Sequence, residues 1–443
     1  LKRSVAGIRG IVGDSLTPTL VLEYLNAFLQ VTKASKVVIG RDTRITGPML
    51  EDLVVQGCTA AGVKAVVLGI SSTPTVQMMV PHLKAEGGIV ITASHNPIEW
   101  NALKFLNREG ILLNESDAGK IFKIVDNKEF KWAGYRNFAP PAAAKGADNF
   151  HIQSILKLPY VSPAAIRKRN IKVAYDGVNG AGSRIVPKLL TKLGCKVVAI
   201  NTEPNGLFPH TPEPIPKNLK QLCKIVKEKK CDVGFASDPD ADRLAVVGED
   251  GRPIGEEFTL YLVSKLVLGY KRGPITVNAC TSRINEDLAA RNGVGMFRSK
   301  VGEANVVAVM KKNGSVVGGE GSGGVILPDL HYGRDGIMAM ALILQLMARE
   351  KKSIRELIAD VPKYFMDKRK ITVVGKPLSN IFGRLMAKFH HVDSDEIDGY
   401  TLKWEDRWVN IRASNTEPII RIISEAPTAR QAREICEQVE AEV

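Results

Sequence analysis

The sequence predicts an α/β protein in which three related α/β domains and a C-terminal α+β domain surround one central cleft. Three observations predict it. A chain of 443 residues, 44% hydrophobic and 24% charged, is too long for one core and suits several globular domains. Three segments repeat the order buried strand, glycine-rich turn, amphipathic helix and strand. Polar motifs follow strand ends, where ligands gather in open α/β sheets.

Strands are predicted where apolar residues run or alternate, and helices where they recur at helical spacing. The pattern divides the chain into four predicted domains, 1–145, 146–250, 251–362 and 363–443. The predicted strands are 37–40, 65–68, 88–91, 171–175, 196–200, 232–236, 275–277, 315–318, 404–411 and 419–424. The predicted helices lie near 48–62, before 193, at 285–291, after 335 and at 429–439. The last strands alternate as antiparallel strands do, which predicts the small α+β domain.

The basic composition predicts an anionic partner. The 61 Lys and Arg outnumber the 47 Asp and Glu, which suits nucleic acid, an anionic surface or a small polyanionic substrate. Aromatic residues are only 6% and no long Lys/Arg block occurs, so we expect a small-molecule substrate and no nucleic acid. Six scattered cysteines, with no secretory leader ahead of them, predict a cytoplasmic compartment. The apolar stretch 337–348 is too short for a bilayer, so no membrane partner is expected. No pattern indicates an oligomeric state.

Ser94 is the candidate nucleophile. It lies in the motif Thr-Ala-Ser-His-Asn-Pro, which follows an apolar strand and in which Pro97 blocks a helix, so the side chain is presented at the strand end. His95 stands beside it, and Lys104 offers a cation or, if desolvated, a general base. The alternative is a turn serine beside a surface histidine, with Lys104 an ordinary surface lysine.

Asp238, Asp240 and Asp242 form the candidate metal site. Their alternation would project three carboxylates to one side of an extended loop, and such hard oxygens suit Mg²⁺. Arg243 would pair with a phosphate or with one carboxylate. The alternatives are a solvated acidic turn with an Asp-Arg salt bridge, or a calcium loop, although the EF-hand spacing fails. A nucleophilic serine together with three metal-binding carboxylates points to an enzyme that moves phosphate.

Two further loops carry candidate substrate-binding residues. Glu320 and Ser322 stand among four glycines, which let the backbone approach a sugar closely while the two side chains bind its hydroxyls. A plain glycine-rich hairpin is the alternative. The second loop suits a non-reacting phosphate, and capping of a strand end is its alternative. Its candidate residues are Arg412, Ser414, Asn415, Thr416 and, beyond the loop, Arg421.

These motifs together resemble those of the α-D-phosphohexomutase superfamily, which includes phosphoglucosamine mutase, phosphomannomutase and phosphoglucomutase. The resemblance covers essentially the whole chain, in the family's order. The matching elements are residues 7–10 (Gly-Ile-Arg-Gly), 92–97, 205–209 (Asn-Gly-Leu-Phe-Pro), 238–243, 319–324 and 412–418. The resemblance implies three related α/β domains with mixed sheets and a mobile fourth domain around one cleft.

The resemblance also implies a mechanism and an activity. Phosphorylated Ser94 would give its phosphoryl group to a hexose monophosphate, and the resulting sugar bisphosphate would turn and return its other phosphate to Ser94. Hexose 6-phosphate and hexose 1-phosphate would thus interconvert, with the bisphosphate as activator and intermediate. Mg²⁺ would be held by Ser94 and the three aspartates. Arg9, His95, Lys104 and Arg243 would assist the transfer, and the fourth-domain loop would hold the distal phosphate.

Two departures from the family pattern bear on the substrate. The loop 319–324 reads Gly-Glu-Gly-Ser-Gly-Gly where phosphomannomutase/phosphoglucomutase relatives place a Met and a His, and Val301-Gly302-Glu303 replaces their Gly-His pair. These features look more like the archaeal-type phosphoglucosamine mutase branch, so we expect an amino sugar phosphate ahead of glucose and mannose phosphates. The alternatives of other classes are a metal-dependent phosphatase, in which water attacks phosphoserine, and a basic anion-binding protein.

Overall fold

The chain forms four β-sheets, each with its own helices. The structure, a computed structural model, describes residues 1–372, 378–413 and 419–443, and for 378–380 the backbone alone. Three sheets mix parallel and antiparallel strand pairs, and the fourth is antiparallel throughout. This arrangement confirms the predicted fold class of three α/β units and a C-terminal α+β unit.

The first sheet has seven strands in the order β1-β2-β6-β5-β3-β4-β7. Its strands are β1 (Lys2–Ser4), β2 (Gly7–Ile11), β3 (Lys36–Arg41), β4 (Lys64–Ile70), β5 (Gly87–Ile91), β6 (Trp100–Leu106) and β7 (Ala142–Ala143). The flanking helices are α1 (Pro18–Thr32), α2 (Gly47–Ala60), α3 (Thr73–His82) and α4 (Glu115–Asp126). Helix α1 begins where the Thr17 side chain accepts from the Leu20 N–H and a proline occupies the first turn. Strands β5 and β6 pair antiparallel, so the chain between them reverses direction beyond the carboxyl end of β5.

The second sheet has the order β11-β10-β8-β9 and the third the order β13-β12-β14-β15-β16. The second comprises β8 (Lys172–Asp176), β9 (Lys196–Ile200), β10 (Val233–Ser237) and β11 (Leu244–Gly248), with α5 (Ala147–Leu156), α6 (Pro163–Lys168), α7 (Gly182–Lys192) and α8 (Lys220–Glu228). The third comprises β12 (Ile275–Asn278), β13 (Met296–Ser299), β14 (Val317–Glu320), β15 (Gly324–Leu327) and β16 (His331–Arg334). Its helices are α9 (Glu257–Leu268), α10 (Ile284–Arg291), α11 (Glu303–Asn313), α12 (Gly336–Glu350) and α13 (Ile354–Leu357).

One hydrophobic core joins the second and third sheets. Helix α12 is buried along residues 336–348 because it is apolar on every side, and it packs against α9 and against α6 and α7 of the second unit. The apolar stretch noted in the sequence is therefore a central core helix. No helix in the described ranges is long and apolar enough to cross a membrane. This core contains residues from both sides of the predicted boundary at residue 250 and does not mark that boundary. The predicted domain limits therefore stay predictions.

The fourth sheet has the order β17-β21-β20-β19-β18. It comprises β17 (Phe365–Thr372), β18 (Asp393–Asp395), β19 (Tyr400–Lys403), β20 (Trp408–Ala413) and β21 (Ile419–Ala426), with α14 (Leu378–Lys388) and α15 (Ala429–Glu440). The prediction of a strand over 404–411 is wrong at its start, because residues 404–407 form a turn closed by the Trp404 N–H and the Arg407 carbonyl. The strand predicted at 315–318 likewise begins later, at Val317.

Candidate active site

Ser94 lies in the turn between β5 and β6 and is almost fully buried, at 3% exposed. Its backbone adopts the left-handed conformation, with φ of 50°, which is unfavourable for a residue that carries a Cβ. The Ser94 N–H donates to Thr92 Oγ1 at 3.0 Å. The Ser94 hydroxyl donates to Asp238 Oδ2 at 2.7 Å and lies 3.3 Å from His95 Nδ1. The turn thus brings the predicted nucleophile directly to the predicted metal loop.

Arg44, which follows β3, holds this turn in place. Its fully buried guanidinium pairs with Asp42 at 3.1 Å and lies over the ring of Phe208. It also donates to four backbone carbonyls of the Ser94 turn at 2.6 to 2.9 Å, those of Ser94, Asn96, Pro97 and Trp100. Asp42 in turn accepts from the Thr92 hydroxyl at 2.7 Å. A buried network therefore fixes the strained backbone on which Ser94 stands.

The carboxylates of Asp238, Asp240 and Asp242 converge, but not in the way we predicted. The loop is a tight turn with Ala241 in the left-handed conformation, at φ of 55°, and not an extended segment with alternating side chains. One oxygen from each carboxylate lies within 4.8 Å of the others, and all three residues are fully buried. Burial of this loop excludes the solvated acidic turn that was its alternative.

Two cationic side chains connect the three aspartates to the other sheets. Lys104 Nζ lies 2.6 Å from Asp240 Oδ2 and 3.5 Å from Asp242 Oδ2, and Arg334 Nη2 lies 2.6 Å from Asp242 Oδ2. Burial lowers the pKa of Lys104, but the two carboxylates outweigh it and the pKa is raised overall. In this arrangement the two carboxylates favour the charged form of Lys104, and its predicted role in the transfer stays a prediction.

The cluster of three aspartates fits a divalent metal ion. Asp240 Oδ1 and Asp242 Oδ1 are buried and have no hydrogen-bond partner among the described residues, so two ligand oxygens are available. Burial and the neighbouring aspartates raise the pKa of Asp238, as expected when three carboxylates share a site without a cation. A hard cation would satisfy these oxygens and offset their mutual repulsion.

Arg334, at the end of β16, links the predicted metal loop (238–243) to the predicted sugar loop (319–324). Besides Asp242, it contacts Glu303 Oε2 at 3.1 Å and Glu320 Oε2 at 2.6 Å. Glu320 also accepts from the Asn278 side chain at 3.0 Å and from the Gly302 N–H at 2.9 Å. Arg334 and Arg44 were not among the predicted site residues. Arg334 ends β16 and Arg44 lies in the segment after β3, and neither belongs to a local motif.

The glycine-rich segment is both a hairpin and part of the site. Glu320 ends β14, and Ser322 lies half-buried in the turn before β15. Gly323 has a φ of 86°, and a Cβ there would lie 2.4 Å from the Leu244 carbonyl oxygen. Only glycine therefore lets this turn pack against the strand that follows the aspartate loop.

Of the remaining predicted residues, Arg9, His95 and Arg421 line a cleft of about 600 Å³ between the first and fourth sheets. On one wall, Arg9 donates to Asn96 Oδ1 at 2.6 Å, and His95 stands beside Ser94. Burial, together with Arg243 and Arg9, lowers the pKa of His95 well below its usual range, so the ring is neutral. The Arg243 N–H donates to Asp238 Oδ1 at 3.2 Å, and its guanidinium lies 3.9 Å from Asp242.

The fourth sheet supplies the other wall of the cleft. Arg421 lines the cleft, and Arg412 Nη1 lies 3.7 Å from Asp398 Oδ2. The predicted phosphate-binding residues Ser414, Asn415 and Thr416 lie outside the described residues, so their role stays a prediction. The residues that line the cleft come from the first and fourth sheets, with Glu213 from the second unit, so a cleft shared by all four sheets stays a prediction.

A buried serine against three clustered carboxylates, in a cleft lined with cations, is the arrangement of an enzyme that transfers phosphoryl groups. Models of the four phosphoglucomutase/phosphomannomutase domains match the chain over residues 1–132, 149–251, 256–365 and 367–442, as α/β/α domains I, II and III and the C-terminal domain. The chain therefore belongs to the phosphoglucomutase/phosphomannomutase family, which confirms the resemblance to the phosphohexomutases.

Individual relatives agree over nearly the full length. A phosphoglucomutase/phosphomannomutase of Thermococcus kodakarensis is 38% identical over 97% of this chain and 96% of that protein. A probable phosphoglucosamine mutase of Methanopyrus kandleri is 32% identical over 97% of this chain and 95% of that protein. The crystal structure of a phosphoglucomutase/phosphomannomutase family protein from Burkholderia thailandensis has a TM-score of 0.86 and 26% identity, covering 99% of this chain and 95% of that one. The predicted enzyme class, a hexose phosphate mutase, is confirmed.

Proposed function

We propose that the chain interconverts hexose 6-phosphate and hexose 1-phosphate through a phosphorylated Ser94 and a sugar bisphosphate. The observation that carries the proposal is the 2.7 Å contact between Ser94 Oγ and Asp238 Oδ2, inside a buried group of three carboxylates. A serine in this position can exchange a phosphoryl group only if cations compensate the added charge. The basic cleft and the predicted metal site supply them.

The proposed reaction is two phosphoryl transfers in opposite directions. In the first, the bond between Ser94 Oγ and phosphorus breaks while a sugar hydroxyl oxygen bonds to that phosphorus, and the hydroxyl proton passes to Ser94 Oγ. In the second, the other phosphate of the bisphosphate passes to Ser94 Oγ, and the Ser94 hydroxyl proton passes to the sugar oxygen that the phosphate leaves. No phosphate is gained or lost, so the net reaction is isomerisation.

The proposed roles of the residues follow from their contacts. Asp238, Asp240 and Asp242 would hold Mg²⁺ together with the phosphate on Ser94, and the ion would supply charge neutralisation at the transferring group. Lys104 holds Asp240 in place for this. The ring of His95, 3.3 Å from Ser94 Oγ, would hydrogen-bond the reacting oxygens.

The substrate preference is a finer proposal than the reaction. Glu320 and Ser322 would bind hydroxyls that glucose, mannose and glucosamine phosphates share, so they would recognise a hexose without choosing among them. We favour glucosamine phosphate because the sugar loop lacks the Met and His of phosphomannomutase/phosphoglucomutase relatives, and because several archaeal relatives are named probable phosphoglucosamine mutase. The 38% identical relative, named phosphoglucomutase/phosphomannomutase, makes the glucose and mannose pairs the second candidate.

The substrate test compares kcat/KM for glucosamine, glucose and mannose 1-phosphates, each with the matching bisphosphate supplied. We expect glucosamine 1-phosphate to be the best substrate, with the other two turned over at lower efficiency. If glucose or mannose 1-phosphate is preferred about tenfold, the substrate assignment is wrong while the mutase assignment stands.

The reaction test replaces Ser94 by alanine. Ser94→Ala should lose nearly all isomerisation, whereas Ser154→Ala, a matched serine on α5, should keep it. Mass spectrometry of active enzyme should place a phosphoryl group on Ser94. A metal-dependent phosphatase would instead release inorganic phosphate without forming the isomer. A basic anion-binding protein would bind DNA in a salt-dependent way without needing Mg²⁺.

A further inference from the structure

The Arg334 guanidinium contacts three carboxylates that belong to different segments of the chain. Nη2 donates to Asp242 Oδ2 at 2.6 Å, Nη1 to Glu320 Oε2 at 2.6 Å and Nε to Glu303 Oε2 at 3.1 Å. Each of the three acidic residues is at most 4% exposed. A guanidinium is planar and donates in fixed directions, so this one group sets the positions of three buried side chains relative to one another.

The packing around Arg334 leaves its side chain little freedom. Gly324 begins β15, and a Cβ at that position would lie 2.3 Å from Arg334 Cδ, so the glycine makes room for the arginine. Glu303 also accepts from Gln77 Nε2 at 2.7 Å, and Gln77 lies on α3 of the first unit. The network therefore joins the first unit, the aspartate loop of the second and the third sheet. A shift of Arg334 toward one carboxylate disturbs its contacts with the other two.

On the side of the predicted metal loop, Arg334 engages one oxygen of Asp242 and leaves the other open. Asp242 Oδ2 is shared by Arg334 and Lys104, whose Nζ lies 3.5 Å away. Asp242 Oδ1 is buried and has no hydrogen-bond partner within the described ranges. Oδ1 is therefore the oxygen available to a metal ion, and Arg334 fixes its direction. Hydrogen bonds of this kind behind a metal ligand orient the ligand and strengthen metal binding.

On the side of the predicted sugar loop, the same guanidinium orients Glu320. Glu320 Oε1 accepts from the Asn278 side chain and the Gly302 N–H, and Oε2 accepts from Arg334. An ion on Asp242 would restrict Asp242, and through Arg334 it would restrict Glu320 before a sugar binds. The ordering that one ligand imposes is then not required again of the other, which makes the two binding events favour each other.

We propose that Arg334 is a positioning residue that couples the metal site to the sugar site, so that Mg²⁺ and a hexose phosphate each strengthen the binding of the other. This inference rests on the proposed function. The coupling is reciprocal because the binding free energies form a closed cycle. The enzyme then binds its substrate most tightly when the ion that neutralises the transferring phosphate is in place.

The test measures Mg²⁺ affinity by calorimetry with and without saturating glucose 1-phosphate. It uses the full-length Ser94→Ala protein, so that neither phosphorylation nor turnover intervenes. Glucose 1-phosphate should tighten Mg²⁺ binding about tenfold. Adding Arg334→Lys should reduce this factor to about twofold or less, because one ammonium cannot hold three carboxylates in fixed directions. The control is Arg355→Lys, since Arg355 pairs with Asp250 at 3.0 Å and so bridges the second and third units away from both loops.

Glu320→Gln in the same background is a second variant, which serves also if Arg334→Lys does not fold. It keeps the shape of the side chain, removes the charge that attracts Arg334 and leaves Asp242 unchanged. Mg²⁺ affinity without the sugar should therefore equal that of the Arg355→Lys control, while the tightening by saturating glucose 1-phosphate should be lost.

An unchanged tightening in the folded Arg334→Lys or Glu320→Gln protein overturns the inference, because direct contact between the ion and the sugar phosphate would then account for the coupling. Equal Mg²⁺ affinity with and without glucose 1-phosphate in the Ser94→Ala protein itself also overturns it. A folded Ser94→Ala protein that binds no Mg²⁺, or no glucose 1-phosphate, contradicts the proposed function and the inference with it.

Discussion

Replacing Arg44 by lysine should slow phosphoryl transfer at Ser94 while leaving sugar phosphate binding nearly unchanged. Arg44 does not line the cleft, and its four backbone contacts all go to the turn that carries Ser94. A lysine keeps the positive charge beside Asp42 but has a single nitrogen in place of the planar fork. It can therefore satisfy only part of the set of carbonyls that the guanidinium holds.

The magnitude follows from the contacts that are lost. Two unreplaced hydrogen bonds in a buried site correspond to about 2–3 kcal/mol of unfolding free energy. The left-handed backbone of Ser94 costs about 1–2 kcal/mol, so the loosened turn relaxes toward an ordinary conformation. The fraction of molecules with Ser94 correctly placed then falls about tenfold, and kcat falls with it.

The assay combines chemical denaturation with steady-state kinetics on folded protein. The matched control is Arg41→Lys, because Arg41 ends the strand that precedes Arg44 and pairs with Glu51 at 2.9 Å, away from the Ser94 turn. We expect a lower kcat and a nearly unchanged KM for Arg44→Lys. A folded Arg44→Lys enzyme whose kcat equals that of Arg41→Lys would show that the Arg44 contacts do not position Ser94.

Three other changes test separate parts of the structure. Asp240→Asn should lower turnover on the order of 100-fold and raise the magnesium concentration needed for activity; an unchanged magnesium titration refutes the metal site. Burial raises the pKa of Asp335, but His151 and His331 lower it further, so the pKa lies below its usual value. The stability that ionised Asp335 gives the folded protein is therefore present at neutral pH and is lost as the pH falls below about 4. Asp335→Asn should flatten that part of the denaturation profile. Gly323→Ala should destabilise by about 1–3 kcal/mol more than Gly314→Ala, whose Cβ would meet nothing, and equal unfolding free energies contradict the close packing.

The part of the site that the sequence predicts is the part encoded in short motifs. Ser94 and the aspartates of the metal loop stand in local patterns at strand ends, and the structure brings them together across 144 residues, as the Ser94 and Asp238 contact shows. The shape of the aspartate loop was not predictable in the same way. Alternation suggested an extended segment, whereas the left-handed Ala241 produces a turn, and nothing in an alanine announces that conformation.

The residues that hold the site together were missed for a physical reason. Arg334 pairs with Asp242, far away in the chain, and Arg44 donates to distant backbone carbonyls such as that of Trp100. Such long-range contacts have no local sequence pattern. The predicted strand start near Trp404 failed for the opposite reason. Trp404 favours a strand, but Glu405 and Asp406 do not, and residues 404–407 form the turn that joins β19 and β20.

The four sheets make unequal demands on the substrate, and this limits how selective the enzyme can be. We expect the Ser94 turn and the Arg44 contacts that hold it to be rigid, because the reacting atoms need one geometry. The predicted phosphate-binding residues Arg412 and Arg421 should have no such need, since they would accept either phosphate of an intermediate that turns around. We expect discrimination among hexoses to fall to the loop of Glu320 and Ser322, whose glycines present no bulky side chain to the sugar. A few contacts at one sugar carbon differ by only about 1–3 kcal/mol between competing substrates, so the preference for one hexose over another should be modest. The requirement that the intermediate carry two phosphates should be strict.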